Sequence, residues 1–170
     1  FQEINNFYTA TVYEKGAEVI GMLKTLVGDD AYAKALDLYF ERHDGDAATI
    51  EDWLKVFEDT TGRDLTQFKR WYAQAGTPHL SVTEAWDAGK GIFTLTFTQH
   101  TPASAATPEP KPQVLPITVG LIGADGAEAA PSRVLEMTEA EQSFAFDGLD
   151  ARPVASVLRG FSAPVVLDQD

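Results

Sequence analysis

The spacing of the hydrophobic residues changes once along this 170-residue chain, near Gly76-Thr77-Pro78. Between Thr11 and Gly76 the apolar residues recur every three or four positions, which is the spacing of amphipathic helices. From Leu80 onward they alternate or cluster in short runs rich in β-branched and aromatic residues, which is typical of strands. The chain therefore predicts a helical half followed by a β half.

The first two helices are separated by a glycine. Gly28, followed by Asp29-Asp30, predicts the end of one helix and the start of the next, because glycine terminates helices and aspartate favours their first turn. The second helix is predicted from about Ala31 to Arg42. The stripe of the first helix consists of Val12, Val19, Ile20, Leu23, Leu26 and Val27.

Two capping patterns predict the next two helices. Thr49 with Asp52 three residues later resembles a capping box, and Gly62 predicts the end of the helix that it opens. Asp64 with Gln67 repeats this start signal and predicts a fourth helix. The apolar residues of these two helices are Ile50, Trp53, Leu54, Phe57, Leu65, Phe68, Trp71 and Tyr72. Helical spacing favours core packing for the aromatic ones over the alternative of a ligand-binding box.

The second half is predicted to form short strands. Alternating apolar residues indicate strands at 93–97 and 115–121, and further strands are predicted at 144–146 and within 154–167. Four prolines within 101–112 disfavour a central strand, because proline cannot donate to the hydrogen-bond ladder, so this segment predicts a loop between strands.

Turns complete the pattern of the β half, at 87–91 and 123–126. The chain as a whole predicts an α+β fold, with an N-terminal bundle of about four helices followed by an antiparallel, immunoglobulin-like β-sandwich. We expect the domain boundary to divide residues 1–78 from residues 79–170.

The charge of the chain argues against nucleic-acid and membrane-surface roles. The formal net charge of −13 would repel a phosphate backbone and an anionic bilayer. The chain has no cysteine, which fits a reducing compartment, and we expect the cytoplasm. Phe1 follows no initiator methionine and opens no signal peptide, so we expect it to be a boundary inside a larger protein.

The sequence contains no recognisable metal motif. His43, His79 and His100 are isolated, and none belongs to the i,i+4 pair of an H-E-x-x-H zinc motif. Only a site assembled from distant residues stays open. Asp44-Gly45-Asp46 lacks the ligand spacing of a calcium loop and predicts a turn between helices.

Three segments are similar to one known family. They are NNFYTATVYEKGAEVI at 5–20, LYFERHDG at 38–45 and FKRWYAQAGTP at 68–78. In this order and spacing they resemble the aminopeptidase N family, the thermolysin-like alanyl aminopeptidases, in its bacterial branch. The resemblance implies that 1–78 is the C-terminal helical part of a catalytic domain, and that 79–170 is a β-sandwich linking it to a C-terminal helical domain.

The resemblance also implies the reaction and its cofactor. Members of the family are zinc-dependent and release N-terminal amino acids from peptides. Their H-E-x-x-H motif and a third ligand, a glutamate, lie upstream of the position of Phe1. The resemblance therefore implies zinc in the parent enzyme with ligands outside this chain, peptide substrates for the parent enzyme, and an inactive isolated chain.

Tyr13 is the residue of the catalytic set that the resemblance carries over. In the family the tyrosine of Y-E-K-G donates its hydroxyl to the oxyanion that forms when water attacks the peptide carbonyl. A phenol suits this role because it keeps its proton at neutral pH. The alternative for Tyr13 is a half-buried helix aromatic. Gly16, one turn later, is unfavourable inside a helix and predicts a close approach of another backbone or of substrate.

Tyr8 is implied to line the pocket for the first side chain of the substrate. Five positions along one helix place two side chains about 140° apart. Tyr8 and Tyr13 can therefore face one cavity only if Tyr8 lies at or before the helix start.

Two further hypotheses concern the chain by itself. A noncatalytic interaction module, with a helical bundle and an immunoglobulin-like sandwich presenting a binding surface, is the alternative to the enzyme. In either case, helices that pack against parts missing from this chain would expose apolar surface, so we expect self-association.

Overall fold

The computed structural model describes residues 3, 9 and 11–169 and confirms the α+β class. The helical elements are a π-helical turn at Thr11–Lys15 and four helices, α1 at Gly16–Val27, α2 at Asp29–His43, α3 at Ile50–Thr61 and α4 at Arg70–Ala73. The predicted break at Gly28 is confirmed, and the second helix begins two residues earlier than predicted.

The capping box of α3 is confirmed. The Asp52 backbone N–H donates to Thr49 Oγ1 over 3.2 Å, and the Thr49 N–H donates to Asp52 Oδ2 over 2.9 Å. The Thr49 backbone N–H and, second, the Thr49 hydroxyl, which donates to Asp52 Oδ2 over 2.8 Å, hold the pKa of the Asp52 carboxyl below its usual value. Gly62 ends the helix in the left-handed region, with a φ of 70°.

The predicted fourth helix is present, but it begins at Arg70 and not at the start signal of Asp64 and Gln67, so the predicted start is wrong. Asp64 Oδ1 accepts from the Thr66 N–H, two residues on. Gln67 Nε2 instead donates to the carbonyls of Pro112 and Thr138, over 3.3 and 2.6 Å. Because the glutamine amide bonds the β half, the chain turns through 66–69 before the short α4 begins.

The β half is a sandwich of two sheets, in the strand orders β5-β2-β1-β7 and β4-β3-β6. Its strands are β1 at His79–Asp87, β2 at Ile92–His100, β3 at Leu115–Ile122, β4 at Glu128–Met137, β5 at Glu141–Phe146, β6 at Val154–Ser156 and β7 at Val166–Gln169. Neighbouring strands are antiparallel except β1 and β7, which pair in parallel. A short 3₁₀ turn, Arg159–Phe161, interrupts the last predicted strand segment.

Alternation along β2 and β3 places the predicted apolar residues inside the sandwich. Phe93, Leu95 and Phe97 are fully buried, as are Ile117 and Val119. The predicted loop 101–112 is confirmed, and it crosses between the two sheets.

A continuous core joins the helices to the sandwich. The Trp71 indole is 4% exposed, and its Nε1–H donates to the Val114 carbonyl over 2.8 Å. Nearby, Arg63 Nη1 contacts both carboxylate oxygens of Glu136, at 3.1 and 2.9 Å. The helices and the sandwich therefore pack together through buried side chains and hydrogen bonds.

Gly91 tests the packing at the turn between β1 and β2. Its φ is 63°, and a Cβ there would lie 2.6 Å from the Leu149 carbonyl oxygen. We expect Gly91→Ala to lower the free energy of unfolding by about 2–4 kcal/mol, because the left-handed strain is joined by a backbone collision. Gly126 is the matched control, since its φ is 81° but a Cβ would meet nothing within 4 Å.

Urea denaturation of the two variants measures this difference. Gly126→Ala carries the strain alone and should cost about 1–2 kcal/mol. Equal losses in the two variants would show that the Leu149 carbonyl does not constrain Gly91.

Candidate functional site

Tyr13 lies on the π-helical turn that leads into α1. The backbone N–H groups of Val12 and Tyr13 both donate to the Thr9 carbonyl, over 3.0 and 3.1 Å. Val12 is β-branched, which slightly disfavours a regular helix at this entry. Tyr13 is 63% exposed, so it is more accessible than a half-buried helix aromatic would be.

Lys15 ties this turn to the end of the helical half. Its Nζ donates to the Gly76 carbonyl over 2.7 Å and lies 5.9 Å from the ring centroid of Trp71. Burial lowers the pKa of the Lys15 ammonium. Lys15 thus anchors the segment that carries Tyr13 to the core.

An open groove of about 570 Å³ extends from Tyr13 over the helices. Its walls are mainly apolar and come from the π-helical turn and all four helices, including Val12, Ile20, Tyr39, Trp53 and Tyr72. An exposed phenol beside such a groove can donate a hydrogen bond to an oxygen of a molecule lying in it.

Gly16 lines the same groove. Among the described residues no atom lies within 4 Å of where its Cβ would be, so the predicted close approach of another backbone is not found there. The space over Gly16 is open, which leaves the approach of substrate as the remaining part of that prediction. Tyr8 lies outside the described residues.

Trp53 and Tyr72 form an aromatic wall of the groove, a placement that their assignment to core packing did not anticipate. In the part of the chain that the structure describes, the Trp53 Nε1 and the Tyr72 hydroxyl are buried without a hydrogen-bond partner. Burial raises the pKa of the Tyr72 phenol, and the neighbouring Trp53 N–H opposes that shift without meeting hydrogen-bond geometry. Tyr39 packs edge-on against Trp53, with 5.2 Å between the ring centroids.

The histidines are dispersed over the fold. His79 and His100 face each other across β1 and β2, with stacked rings 5.0 Å apart, and His43 packs against Tyr39. Asp168 lies 4.0 Å from His79 Nδ1. Over residues 3, 9 and 11–169, no group of three or more histidine, aspartate or glutamate side chains could hold a metal ion. The described residues therefore do not fit a zinc site.

Two other observations bear on the sequence predictions. Asp44-Gly45-Asp46 forms the predicted turn between helices, with the Asp46 N–H donating to the His43 carbonyl over 3.1 Å. None of the helices that the structure describes combines the length and the apolar character needed to cross a membrane.

Comparisons with known proteins divide the chain into two matches. Residues 1–72 match the peptidase family M1 domain, and residues 76–170 match DUF3458, a domain of unknown function with an Ig-like fold. The second match covers more than half of the chain.

The similarity to individual proteins extends over the whole chain. Aminopeptidase N of Escherichia coli is 44% identical over 98% of this chain and 20% of its own length. Aminopeptidase N of Caulobacter vibrioides is 46% identical over 100% of this chain and 20% of its own length. This chain thus spans about a fifth of the curated relatives that it matches.

A solved structure gives the same result for the fold. The crystal structure of Legionella pneumophila aminopeptidase A in complex with aspartic acid superposes with a TM-score of 0.89 at 29% identity. The superposition covers 100% of this chain and 19% of that one. By sequence and by fold, this chain belongs to the aminopeptidase N family of M1 peptidases.

Proposed function

We propose that this chain is part of a zinc-dependent aminopeptidase that releases N-terminal amino acids from peptides. The M1 family is zinc-dependent in general, and the whole-chain identity of 44–46% to bacterial aminopeptidase N supports the activity. That identity also disfavours the noncatalytic interaction module. As part of the same proposal, residues 1–78 end the catalytic domain, residues 79–170 link it onward, and the protein works in the cytoplasm.

The observation that carries the proposal is the exposed phenol of Tyr13 beside an open groove. We assign its hydroxyl to the carbonyl oxygen of the scissile peptide bond. As water adds to the carbonyl carbon, this oxygen gains negative charge, and a fixed O–H donor stabilises that charge more than it stabilises the neutral carbonyl. Tyr13 thereby acts as a transition-state stabiliser and keeps its own proton.

The cofactor of this proposal belongs to the parent enzyme. Zinc, held by residues outside this chain, would supply a Lewis acid and an activated water. Tyr8 stays proposed as a residue of the pocket for the first side chain of the substrate.

The proposal is tested first on the isolated chain. We expect the purified 170 residues to bind no stoichiometric zinc and to leave an alanyl amide substrate intact, because the ligands and the general base are supplied elsewhere. Chelator-sensitive turnover by this chain would contradict that expectation. Reading the parent frame upstream of Phe1 for H-E-x-x-H and a distal glutamate tests the assignment to the enzyme class.

We also propose that the isolated chain self-associates through the groove face. Val12, Tyr13, Ile20 and Ile50 all expose large apolar side chains on this face. In the relatives, four fifths of the chain lies outside the matched part and could cover such a face. Uncovered apolar surface favours association.

Sedimentation velocity at several concentrations measures this association. We expect Ile20→Glu to shift the chain towards monomer, because a charge at this 39% exposed position would be desolvated in the interface. Val134→Glu is the matched control, since Val134 is 47% exposed on β4, away from the groove. A chain that sediments as a monomer at all concentrations would contradict the proposal.

A further inference from the structure

Phe161 presents the most exposed large hydrophobic side chain among the described residues, with 85% of its surface accessible. It lies in the 3₁₀ turn between β6 and β7. A lone exposed aliphatic residue is ordinary, but a phenylalanine held this far out carries a large apolar area that only a partner can cover.

The backbone around Phe161 is strained. Leu158 and Phe161 have φ values of 54° and 53°, and within the described ranges they are the only residues other than glycine with a positive φ. Each such residue costs on the order of 1–2 kcal/mol, so a surrounding structure must hold the turn in this form.

That surrounding structure is present on both sides of the turn. Arg159 Nη1 contacts Glu128 Oε1 at 2.6 Å and Ser132 Oγ at 2.9 Å. The buried Ser162 hydroxyl accepts from the Thr118 N–H over 2.9 Å. The guanidinium lies over Gly120, where a Cβ would be 1.8 Å from the Arg159 Cζ. The ring is therefore preorganised outside the fold, as a binding anchor requires.

A groove of about 710 Å³ adjoins the ring. Its apolar wall includes Ala163, Pro164 and Val165. Its other wall comes from the π-helical turn and α1, where the exposed carboxylates of Glu14 and Glu18 outnumber Lys15, whose Nζ donates to the Gly76 carbonyl. A surface that fills this groove must be apolar towards the sandwich, and lysine or arginine side chains would complement the acidic wall.

The length of the relatives indicates which surface fills the groove beside Phe161. The solved aminopeptidase carries this fold with a TM-score of 0.89, yet only 19% of that chain is matched, so the fold sits within a body about five times its size. We propose that Phe161 anchors an interface with another domain of the same, longer polypeptide, inserting into an apolar surface flanked by basic residues. This inference rests on family membership and is independent of the role of Tyr13.

Hydrogen–deuterium exchange on the full-length parent and on the 170-residue chain tests the anchor. Amides of residues 158–165 should exchange about tenfold or more slowly in the parent than in the isolated chain. Phe161→Ala in the parent should abolish most of this protection. Val154→Ala is the matched control, since Val154 is 68% exposed on the same sandwich but outside the groove, and it should leave the protection intact.

A second variant should stabilise the isolated chain but weaken the interface in the full-length parent. Phe161→Gly removes the left-handed strain, so it should raise the Tm of the isolated chain by about 2–4 °C while removing the protection in the parent. Glu18→Lys should weaken the protection as well, because it reverses the charge that faces the partner.

Three outcomes would overturn the inference. They are equal exchange in parent and isolated chain, protection that survives Phe161→Ala or is lost equally in Val154→Ala, and protection of 158–165 that appears in the isolated chain as its concentration rises. The last would assign the surface to a second copy. Stronger protection in Glu18→Lys would overturn the basic character of the partner. Since none of these readouts uses catalysis, they can fail while the proposed peptidase function stands.

Discussion

Replacing Tyr13 by phenylalanine in the full-length parent should lower kcat by about 10²–10³-fold, the usual loss when one oxyanion donor is removed. This corresponds to about 3–4 kcal/mol of transition-state stabilisation. The ring is retained, and at 63% exposure it contributes little to the core. The loss should therefore come from the missing hydroxyl rather than from unfolding.

The division between kcat and KM identifies the kind of interaction. A hydrogen bond that strengthens only as charge develops on the carbonyl oxygen lowers kcat and kcat/KM together and leaves KM nearly unchanged. Steady-state kinetics with an alanyl amide substrate measures both constants, and zinc content with melting temperature confirms that the variant is intact.

Tyr39→Phe is the matched control for Tyr13→Phe. Tyr39 lines the same groove and loses the same atom, but its ring packs between Trp53 and His43 rather than at the entry. We expect the kcat of Tyr39→Phe to stay within about threefold of the kcat of the parent, because the proposed mechanism places no contact between Tyr39 and the reacting carbonyl. An unchanged rate in Tyr13→Phe would remove Tyr13 from the mechanism.

Trp71→Ala should destabilise the 170-residue chain by about 3–5 kcal/mol, the usual cost of truncating a buried aromatic. Trp71 sits where the helices meet the sandwich, and its indole N–H is bonded to the Val114 carbonyl. The substitution leaves a cavity and a buried acceptor without its donor, and both effects act at the joint between the two halves.

Trp71→Phe separates these two contributions. It retains an aromatic ring and loses the hydrogen bond, so we expect a smaller cost of about 1–3 kcal/mol. Urea denaturation followed by circular dichroism measures both variants. A loss below about 1 kcal/mol for Trp71→Ala would mean that this contact does not hold the halves together.

The helices show which sequence signals suffice to predict where a helix begins. Thr49 and Asp52 form a capping box because every partner they need lies within one turn. Asp64 and Gln67 carry the same pattern, but two carbonyls of the β half take up the Gln67 amide. Those partners lie more than forty positions away, so the sequence around Gln67 gives no sign of them.

Some features of the strands can likewise be predicted from the sequence around them, and others cannot. Alternation in β2 is predictable because one face of that strand is buried against the other sheet. In β3 the apolar residues alternate although the strand is buried along most of its length. The strand β4 contains Pro131 and exposes most of its residues, which an edge position tolerates and which no alternation reveals. The parallel pairing of His79–Val82 with Val166–Gln169 joins segments far apart in sequence.

The candidate site was predictable only in part. The resemblance around Y-E-K-G singled out Tyr13, whereas helical spacing assigned Trp53 and Tyr72 to the core. Their placement along the Tyr13 groove depends on how α3 and α4 pack beside α1, and the sequence of each helix alone does not determine that packing.

The central claim is that the Tyr13 hydroxyl binds the charged oxygen of the transition state. The most direct measurement is the inhibition constant of a phosphinic peptide analogue, whose tetrahedral oxygen mimics that oxyanion, on the full-length parent and on Tyr13→Phe. We expect the inhibition constant of the analogue to be about 10²–10³-fold higher for Tyr13→Phe than for the parent. The inhibition constant of the product alanine should show no comparable change. Equal inhibition constants for the analogue on the two proteins would contradict the account.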